Sequence, residues 1–253
     1  HAPFIHTNVH GTQVHGTQVL LDACRRHDMH RYLHVSTDEV YGDLAGSDHR
    51  SVESDPMQPS SPYASSKAEA EELVNAAHRT HGLDILITRG SNTYGSNQYP
   101  EKIIPLFITN AIDNIPLPIY GNGQAVRDYM HVDDHCAGID LLFHKGTAGQ
   151  TYNLGANLEI NGITVAESIL DLLNRPKSLM AWVDDRPGHD YRYAVDSSAA
   201  ESIGWNRATN FEQGLESTVR WYVEHEDWWR PLKESRHFTD FSNTWYADRD
   251  PKP

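Results

Sequence analysis

The sequence has few cysteines and no long apolar run, and both features restrict the classes of protein to which it can belong. Its two cysteines, Cys24 and Cys136, are too few for a disulfide framework, so we expect both to be reduced and buried. No apolar stretch approaches the roughly 18 residues of a membrane span, and no signal-peptide pattern is visible. The sequence therefore predicts a cytoplasmic protein with no membrane partner.

Positive charge is also scarce. The chain has 21 Lys and Arg against 35 Asp and Glu, which gives a net charge of −14, and only six of the basic residues are Lys. Such acidity argues against nucleic acid as a partner. It fits a protein that works in high salt, where screening weakens self-repulsion, and fits an acidic cytosolic enzyme equally well. With 253 residues, the chain can bury a real core in one large or two small domains.

A glycine-rich fingerprint for a dinucleotide is missing as well. Nothing before residue 36 supplies the strand, the glycine turn and the helix, or the acidic residue that follows by about 20 positions. Gly121 and Gly123, in YGNGQ, are typical of a turn instead.

The first motif with candidate catalytic residues is STDEVY at residues 36–41. The preceding run, residues 32–35, is β-branched and aromatic enough to be a buried strand, which places Thr37, Asp38 and Glu39 at its carboxyl end. Open α/β sheets bind their ligands at this end. Two adjacent carboxyl groups offer a general acid and a general base if their surroundings separate their pKa values. The alternative is a solvated Asp-Glu turn.

A second motif, YASSK at residues 63–67, follows Pro62 and opens a pattern typical of an amphipathic helix up to residue 81. Tyr63 and Lys67 are four positions apart and share a face of that helix. An ammonium group beside a phenol lowers the pKa of the tyrosine. The motif therefore predicts a base that can take a proton from a sugar hydroxyl.

Other segments carry weaker signals. The sequence predicts strands at residues 83–88 and 151–154, helices at residues 101–115 and 163–173, one helix over residues 210–229, a polar loop at residues 89–98 and a weakly ordered tail from Phe238 onward. A helix over residues 4–27 contains HGTQV twice. Five residues turn an α-helix by about 500°, so both copies cannot face one side. We expect a local bulge, a displaced amino-terminal piece or an error in the sequence.

A metal site is not predicted, although histidines are frequent. His131 and His135 have a spacing that suits a metal, but Asp133 is better explained as the N-cap of the following helix. His27, His30 and His34 do not converge, because the last of them lies on the first predicted strand.

Taken together, the motifs resemble the extended short-chain dehydrogenase/reductases, and within them the nucleotide-sugar 4,6-dehydratases. The matching pieces cover nearly the whole chain in the family's order: STDEVYGD (36–43), SPYASSKAEAE (61–71), TRGSNTYG (88–95), YPEKIIPL (99–106), LPIYGNGQAVRDYMHVDDH (117–135), TYNLG (151–155), DRPGHDYRYAVD (185–196) and WWRPLK (228–233). Gly90, Thr93 and Ser96 depart from the family, which more usually has Cys, Asn and Pro there.

The resemblance implies an α/β fold with a Rossmann-like doubly wound parallel sheet, incomplete at the amino terminus, and a smaller α/β substrate domain. Residues 1–98 would be the remaining part of the NAD-binding domain, interleaved with a sugar-nucleotide-binding domain at residues 99–240, and residues 241–253 a tail. Family members carry the glycine-rich fingerprint in a segment ahead of the point where this sequence starts. We therefore expect a fragment, or a chain whose cofactor-binding half is missing.

The resemblance also implies NAD as the cofactor and a nucleotide sugar such as dTDP-glucose as the substrate. The expected catalytic residues are Thr37, Asp38, Glu39, Tyr63 and Lys67. Tyr63 would take the 4-hydroxyl proton, Glu39 would move the C5 proton and Asp38 would protonate the departing 6-hydroxyl. The expected NAD contacts are Thr7, Tyr63, Lys67 and Thr93. The expected substrate contacts are Thr37, Asn92, Lys102, Ile103, Pro118, Tyr120, Arg127, Asn161, Arg186 and His189.

Two other functions stay open at the level of the sequence. One is a nucleotide-sugar 4-epimerase or decarboxylase of the same superfamily, which usually lacks the adjacent Asp-Glu pair. The other is a non-catalytic remnant that only dimerises. The helices predicted at residues 4–27 and 63–81 resemble the pair that forms the family's intersubunit four-helix bundle, which also implies a homodimer.

Overall fold

The computed structural model describes residues 10–185 and 189–240. Their strands are β1 (Tyr32–Thr37), β2 (Ile85–Gly90), β3 (Asn92–Tyr94), β4 (Leu117–Tyr120), β5 (Val126–His131), β6 (Gln150–Leu154), β7 (Glu159–Asn161) and β8 (Met180–Val183). Their α-helices are α1 (Gly16–Arg26), α2 (Pro62–His81), α3 (Ile103–Ile112), α4 (Val132–Lys145), α5 (Gly162–Leu172), α6 (Ser198–Ser202), α7 (Phe211–Glu224) and α8 (Glu226–Glu234). None of the helices among these residues is long and apolar enough to cross a bilayer.

The first sheet contains β1, β2 and β6, all parallel, with β2 in the middle. Successive side chains of β2 point to opposite faces of the sheet. Ile85 and Ile87 pack against Val74 of α2, while Leu86 packs against Leu142 of α4. Helices therefore cover both faces, which explains why β2 is an uninterrupted apolar run. Each fully buried side chain there stabilises the fold by roughly 1.5–3 kcal/mol.

Two smaller sheets complete the architecture. β3 pairs parallel with β5, β5 pairs antiparallel with β7, and β4 pairs parallel with β8. The largest apolar core lies among α3, α5, α7, α8 and β4, and includes Phe107, Leu117, Ile169, Tyr222 and Trp229. This second body of structure follows the first sheet in the chain, although β6 returns to that sheet.

The duplicated HGTQV is accommodated by a change of helix type. Residues Gly11–His15 form a π-helical turn that leads directly into α1. In a π turn each hydrogen bond spans five residues, one more than in an α-helix. The wider turn accommodates extra residues that a regular α-helix would place on another face. The described residues thus contain the local bulge that was one of the three alternatives. Residues 4–9 of the predicted helix lie outside the described residues.

Three local expectations were wrong. Cys24 is half-buried and Cys136 is exposed, so neither thiol belongs to the core. The loop predicted at residues 89–98 contains the end of β2 and all of β3, because pairing with β5, distant in sequence, holds β3 in an extended conformation. The tail does not begin at Phe238, which is 7% exposed within a helical stretch at residues 236–240. Residues 241–253 lie outside the described residues.

The single helix predicted over residues 210–229 is also wrong, since it divides into α7 and α8. The break falls at His225, whose backbone leaves the helical region at φ −125° and ψ 45°. Its ring stacks on Trp221 with 4.6 Å between the centroids. Its Nδ1 lies 2.8 Å from the Trp221 carbonyl oxygen, in the last turn of α7. This local side-chain interaction competes with the helix and ends it.

Candidate active site

The acidic doublet lies where β1 ends. The strand finishes at Thr37 and the chain turns at once into a 3-10 helix, Asp38–Tyr41. The Thr37 hydroxyl caps this turn by accepting a hydrogen bond from the Glu39 N–H at 3.3 Å. The turn ends at Gly42, where φ is +85° and a Cβ would clash with the Gln58 carbonyl oxygen. Local geometry therefore fixes both carboxyl groups at the carboxyl edge of the parallel sheet.

Asp38 and Glu39 have different surroundings, as the acid–base interpretation requires. Asp38 is 3% exposed, whereas Glu39 is half-buried. Burial, reinforced by the charges of Glu39 and Asp128, raises the pKa of Asp38 well above its usual range. The Thr37 hydroxyl donates to Asp38 Oδ1 at 3.3 Å, and Oδ2 is buried without a partner. Of the two adjacent carboxyl groups, Asp38 is therefore the one whose surroundings favour holding a proton and donating it.

Tyr63 lies in the first turn of α2 and within electrostatic reach of both carboxyl groups. Ser61 caps this helix by accepting from the Ala64 N–H at 3.0 Å, and Pro62 occupies the first turn. Burial raises the pKa of Tyr63 to about 12, and the charges of Glu39 and Asp38 add to the shift. The structure therefore brings the phenol and the acidic doublet together, although they lie on different elements.

The predicted lowering of the Tyr63 pKa by Lys67 is wrong for the protein alone. The Lys67 ammonium donates to the Val35 carbonyl oxygen at 2.8 Å, on the edge strand β1. Burial lowers the pKa of Lys67. Burial, together with the charges of Glu39 and Asp38, sets the pKa of Tyr63, so the phenol is held in its protonated form.

Arg127, predicted to contact substrate, lies beside the doublet. Its guanidinium sits 4.6 Å from the centre of the Tyr193 ring and donates at 2.7 Å to the carbonyl oxygens of Val126 and Asp190. Its charge acts on Asp38 and opposes the rise of that pKa. Arg127 is thus a fixed cation at the edge of the site, held flat against an aromatic ring.

Tyr193 and Asp190 are neighbours of the site that the sequence analysis missed. Burial raises the pKa of Tyr193, and the charge of Glu39 adds to the shift. The Asp190 carboxylate accepts hydrogen bonds from Tyr193 and from Ser60. The segment DRPGHDYRYAVD, which contains both residues, could have pointed to them.

Asn92 and Thr93 lie on β3, directly after β2. Asn92 Oδ1 is buried without a hydrogen-bond partner. Thr93 Oγ1 lies 2.7 Å from His135 Nδ1, and the Thr93 carbonyl oxygen accepts from Gln98 Nε2 at 2.8 Å. Gly90 pairs with Thr37 in the β1–β2 register, which places this segment next to the acidic doublet.

The remaining predicted substrate contacts are more dispersed. Tyr120 and His189 are neighbours, with 6.4 Å between ring centroids, and His189 Nδ1 lies 2.7 Å from Asp185 Oδ1. Asn161 caps α5 by accepting from the Thr164 N–H at 2.8 Å, so its side chain already has a structural role.

Lys102 is exposed at the start of α3, Ile103 is half-buried and Pro118 is buried in β4. The predicted contacts Thr7 and Arg186 lie outside the described residues.

Metal binding finds no support among residues 10–185 and 189–240, where no group of three or more His, Cys, Asp or Glu side chains could hold an ion. The helix cap assigned to Asp133 is wrong, because His131 caps α4: its Nδ1 accepts from the Asp133 N–H at 3.3 Å. Asp133 instead lies exposed in the first turn, where its charge suits the helix dipole.

Unpartnered polar atoms indicate where a ligand fits. Among the described residues, the buried side-chain atoms without a hydrogen bond belong to His34, Ser36, Asp38, Thr88, Ser91, Asn92, Gln98 and His135. All but His135 lie on β1, β2, β3 or the turns that follow them, and the His135 ring lies against Gly90 of β2. Each such group costs about 1–3 kcal/mol unless something satisfies it. Hydrogen-bonding groups of a polar ligand or of water would satisfy them.

Comparisons with known proteins show which family the chain resembles. The sequence model of the family described as GDP-mannose 4,6 dehydratase matches residues 6–218. The chain is 45% identical over 233 residues to a dTDP-glucose 4,6-dehydratase of Streptomyces antibioticus, covering 91% of this chain and 67% of that protein. The chain thus spans about two thirds of that relative's length.

Solved structures of similar proteins match the fold of the chain. The DesIV dTDP-glucose 4,6-dehydratase of Streptomyces venezuelae, solved with NAD and TYD bound, has a TM-score of 0.88 and 44% identity, covering 92% of this chain and 73% of that one. A UDP-glucose 4-epimerase of Thermus thermophilus, solved with NAD, has a TM-score of 0.80 and 25% identity, covering 84% and 70%. The expected Rossmann-like α/β fold is therefore confirmed.

Proposed function

The chain belongs to the nucleotide-sugar dehydratase family matched above, and we propose that it acts as an NAD-dependent dTDP-glucose 4,6-dehydratase. The observation that carries the proposal is the meeting of Asp38, Glu39 and Tyr63 at the carboxyl edge of the first sheet. An adjacent Asp-Glu pair beside a YxxxK tyrosine supplies the acid and the two bases that removal of water from a hexose requires.

Tyr63 acts first, as the base that takes the proton of the 4-hydroxyl. When bound, NAD supplies the acceptor for the C4 hydride, returns that hydride to C6, and brings a positive charge that lowers the pKa of a neighbouring phenol. Thr37 holds the 4-oxygen by a hydrogen bond, and Lys67 anchors the ribose from the same face of α2 as Tyr63.

Glu39 and Asp38 then remove water. A ketone at C4 makes the C5 proton acidic, and Glu39 takes that proton. Asp38, whose raised pKa keeps it protonated, gives its proton to the 6-hydroxyl, which leaves as water. Glu39 finally returns its proton to C5 and ends as it began. Tyr63 then still holds the proton of the 4-hydroxyl and Asp38 lacks one, so Tyr63 releases a proton to solvent and Asp38 regains one before the next turnover.

The residues present fit the nicotinamide end of the cofactor. Tyr63, Lys67 and Thr93 are the described residues that would hold it, and buried polar atoms of Asp38, Ser91 and Asn92 have no hydrogen-bond partner near the carboxyl ends of β1 and β2. Thr7 would complete the set. The sequence of residues 1–253 contains no glycine-rich dinucleotide fingerprint, so these residues account for part of an NAD site.

The substrate is proposed to lie across the second body of the structure. Arg127 offers a planar cation for a diphosphate, and Tyr120 with His189 forms a polar aromatic corner. Thr37, Asn92, Lys102, Ile103, Pro118, Asn161 and Arg186 complete the proposed substrate contacts. The proposal keeps the domain division expected from the sequence: residues 1–98 for the cofactor, interleaved with residues 99–240 for the sugar nucleotide, and residues 241–253 as a tail.

A homodimer formed through α1 and α2 is also part of the proposal. The two helices pack against each other, and a shallow cleft between them is lined by Leu21, Leu73 and Ala77. Val19 and Leu20 on α1 are 49% and 54% exposed, so this helix also presents apolar surface to solvent.

The dimer can be tested by analytical ultracentrifugation. We expect Val19→Glu to yield monomers, while Val223→Glu, a matched change at an exposed valine of α7, leaves the dimer intact. A wild-type monomer would contradict the dimer without touching the catalytic proposal.

The activity itself is tested by NMR of the full chain with NAD and dTDP-glucose. We expect a new C6 methyl signal and a product lighter by one water. Asp38→Asn should abolish the signal, whereas Asp140→Asn, at an exposed carboxylate of α4, should not. Formation of the 4-epimer without loss of water would instead favour an epimerase, and no reaction with intact folding would favour a non-catalytic dimer.

A further inference from the structure

Thr93 and His135 form a hydrogen bond between two elements distant in sequence. Thr93 lies on β3 and His135 in the first turn of α4, and the hydroxyl oxygen lies 2.7 Å from the ring Nδ1. The Thr93 hydroxyl also donates to the Ser91 carbonyl oxygen at 3.3 Å. A hydroxyl has one hydrogen, so while Thr93 donates to Ser91, the hydrogen of the shorter bond comes from Nδ1. This pairing assigns the Nδ1–H tautomer to the imidazole, an assignment from the hydrogen-bond pattern.

The other side of the ring is packed against Gly90. A Cβ at position 90 would lie 2.7 Å from His135 Nε2 and 2.8 Å from Cε1, closer than real contacts allow. Nε2 is buried and has no hydrogen-bond partner. Burial lowers the pKa of His135 to about 4, so the ring is neutral at physiological pH. Gly90, Thr93 and His135 thus make one packed unit, and any side chain at position 90 would move the ring.

We infer that His135 is a positioning residue that fixes the Thr93 hydroxyl at the carboxyl edge of the sheet, and that Gly90 makes the room for its ring. With one bond accepted from His135 and its hydrogen given to Ser91, the hydroxyl can offer a ligand only its remaining lone pair. It therefore favours a ligand that donates an N–H at this point, such as a carboxamide. This inference rests on the proposed function, in which Thr93 contacts NAD.

Two variants of His135 separate hydrogen bonding from packing. Asn at this position keeps a donor close to that of Nδ1, whereas Phe keeps the ring shape and loses the donor. We expect His135→Phe to weaken NAD binding, measured by calorimetry, by roughly 2- to 10-fold, the size of one ordinary hydrogen bond. Thr93→Val should do the same, His135→Asn should restore wild-type affinity, and the double variant Thr93→Val with His135→Phe should be no weaker than either single variant.

Gly90 supplies an independent check. Gly90→Ala should weaken NAD binding as His135→Phe does, because the new Cβ displaces the ring. Gly16→Ala is the matched control, since a Cβ there, at the first residue of α1, meets nothing closer than 3.9 Å. Equal NAD affinity in wild type, His135→Phe and Gly90→Ala would overturn the inference.

A cofactor-free measurement separates this inference from the proposed function. Nitrogen-15 NMR of the unliganded protein should show the Nδ1–H tautomer for His135, and Thr93→Val or Gly90→Ala should change its ring-nitrogen shifts. A His135 signal that ignores both substitutions contradicts the positioning role. Wild-type protein that shows the tautomer but fails to bind NAD contradicts the proposed function and the cofactor part of the inference, and leaves the packed unit established.

Discussion

We expect the buried ion pair between Glu71 and Arg89 to make a large contribution to the stability of the elements that carry the candidate site. Glu71 on α2 is 0% exposed and Arg89 on β2 is 5% exposed. Two nitrogens of Arg89 donate to the carboxylate: Nε lies 3.1 Å from both oxygens, and Nη2 lies 2.6 Å from Oε2. Arg89 also lies 4.7 Å from the centre of the Tyr41 ring, at the end of the turn that carries Asp38 and Glu39.

Replacing Arg89 by Met removes the cation and leaves a carboxylate with no water to solvate it. We expect a loss of about 3–5 kcal/mol in the free energy of unfolding, because breaking a buried pair exposes the full desolvation cost of the remaining charge. Replacing both residues, as Glu71→Leu with Arg89→Met, should cost far less, since two apolar groups of similar volume need no partner. The coupling energy between the two positions should then exceed about 2 kcal/mol.

Urea unfolding followed by tryptophan fluorescence measures all four proteins of this cycle. Arg220→Met is the matched control, because Arg220 pairs with Glu216 at 2.8 Å on an exposed face of α7. We expect that change to cost less than about 0.5 kcal/mol. Two results would contradict a buried pair. One is that Arg89→Met lowers the free energy of unfolding no more than Arg220→Met does. The other is that the double variant is no more stable than Arg89→Met alone.

Three further predictions concern titration and chemistry. Tyr63→Phe should lower kcat by roughly 10²- to 10⁴-fold with little change in KM, because it removes a proton acceptor and keeps the ring. The control is a variant of Tyr191, which is exposed. An equal fall in kcat in that variant, if it folds and binds NAD, would argue against a special role for Tyr63. Since the pKa of Asp38 is raised and its protonated form is the active one, kcat should fall as the pH rises through that pKa; a rate that rises instead would contradict Asp38 as the acid. Burial lowers the pKa of His34 to about 4, and the charge of Lys67 adds to the shift. The neutral His34 ring thus makes its full contribution to the free energy of unfolding above pH 6.5. That contribution is lost as the pH falls from 6.5 through about 4, by about 1.4 kcal/mol per pH unit. His34→Gln should flatten that slope in urea titrations, and an unchanged slope would mean that His34 does not stay neutral.

Local sequence signals predicted the elements that carry the chemistry. The strand ending near Thr37 and the helix from Pro62 were predicted correctly, because a β-branched and aromatic run, an amphipathic pattern and an early proline act within a few residues. β3 was missed since three polar residues form a strand only through pairing with β5. No short-range signal carries that information.

Electrostatics was less predictable than position. The YxxxK spacing places Tyr63 and Lys67 on one face of α2, but the pKa of Tyr63 depends on burial and on carboxyl groups from another element. Tyr193 was missed for a related reason, since its neighbours Arg127 and Glu39 come from distant parts of the chain. Such effects follow from tertiary packing, which spacing in a sequence does not specify.

The most direct measurement follows deuterium from C4 of dTDP-glucose through turnover by the full chain with NAD. If the phenol of Tyr63 and the carboxyl groups of Asp38 and Glu39 act on one sugar ring, the label should leave C4 and appear in the C6 methyl group of the same molecule. Product that keeps its deuterium at C4, or that loses it to solvent, would contradict a single site in which these three side chains work together.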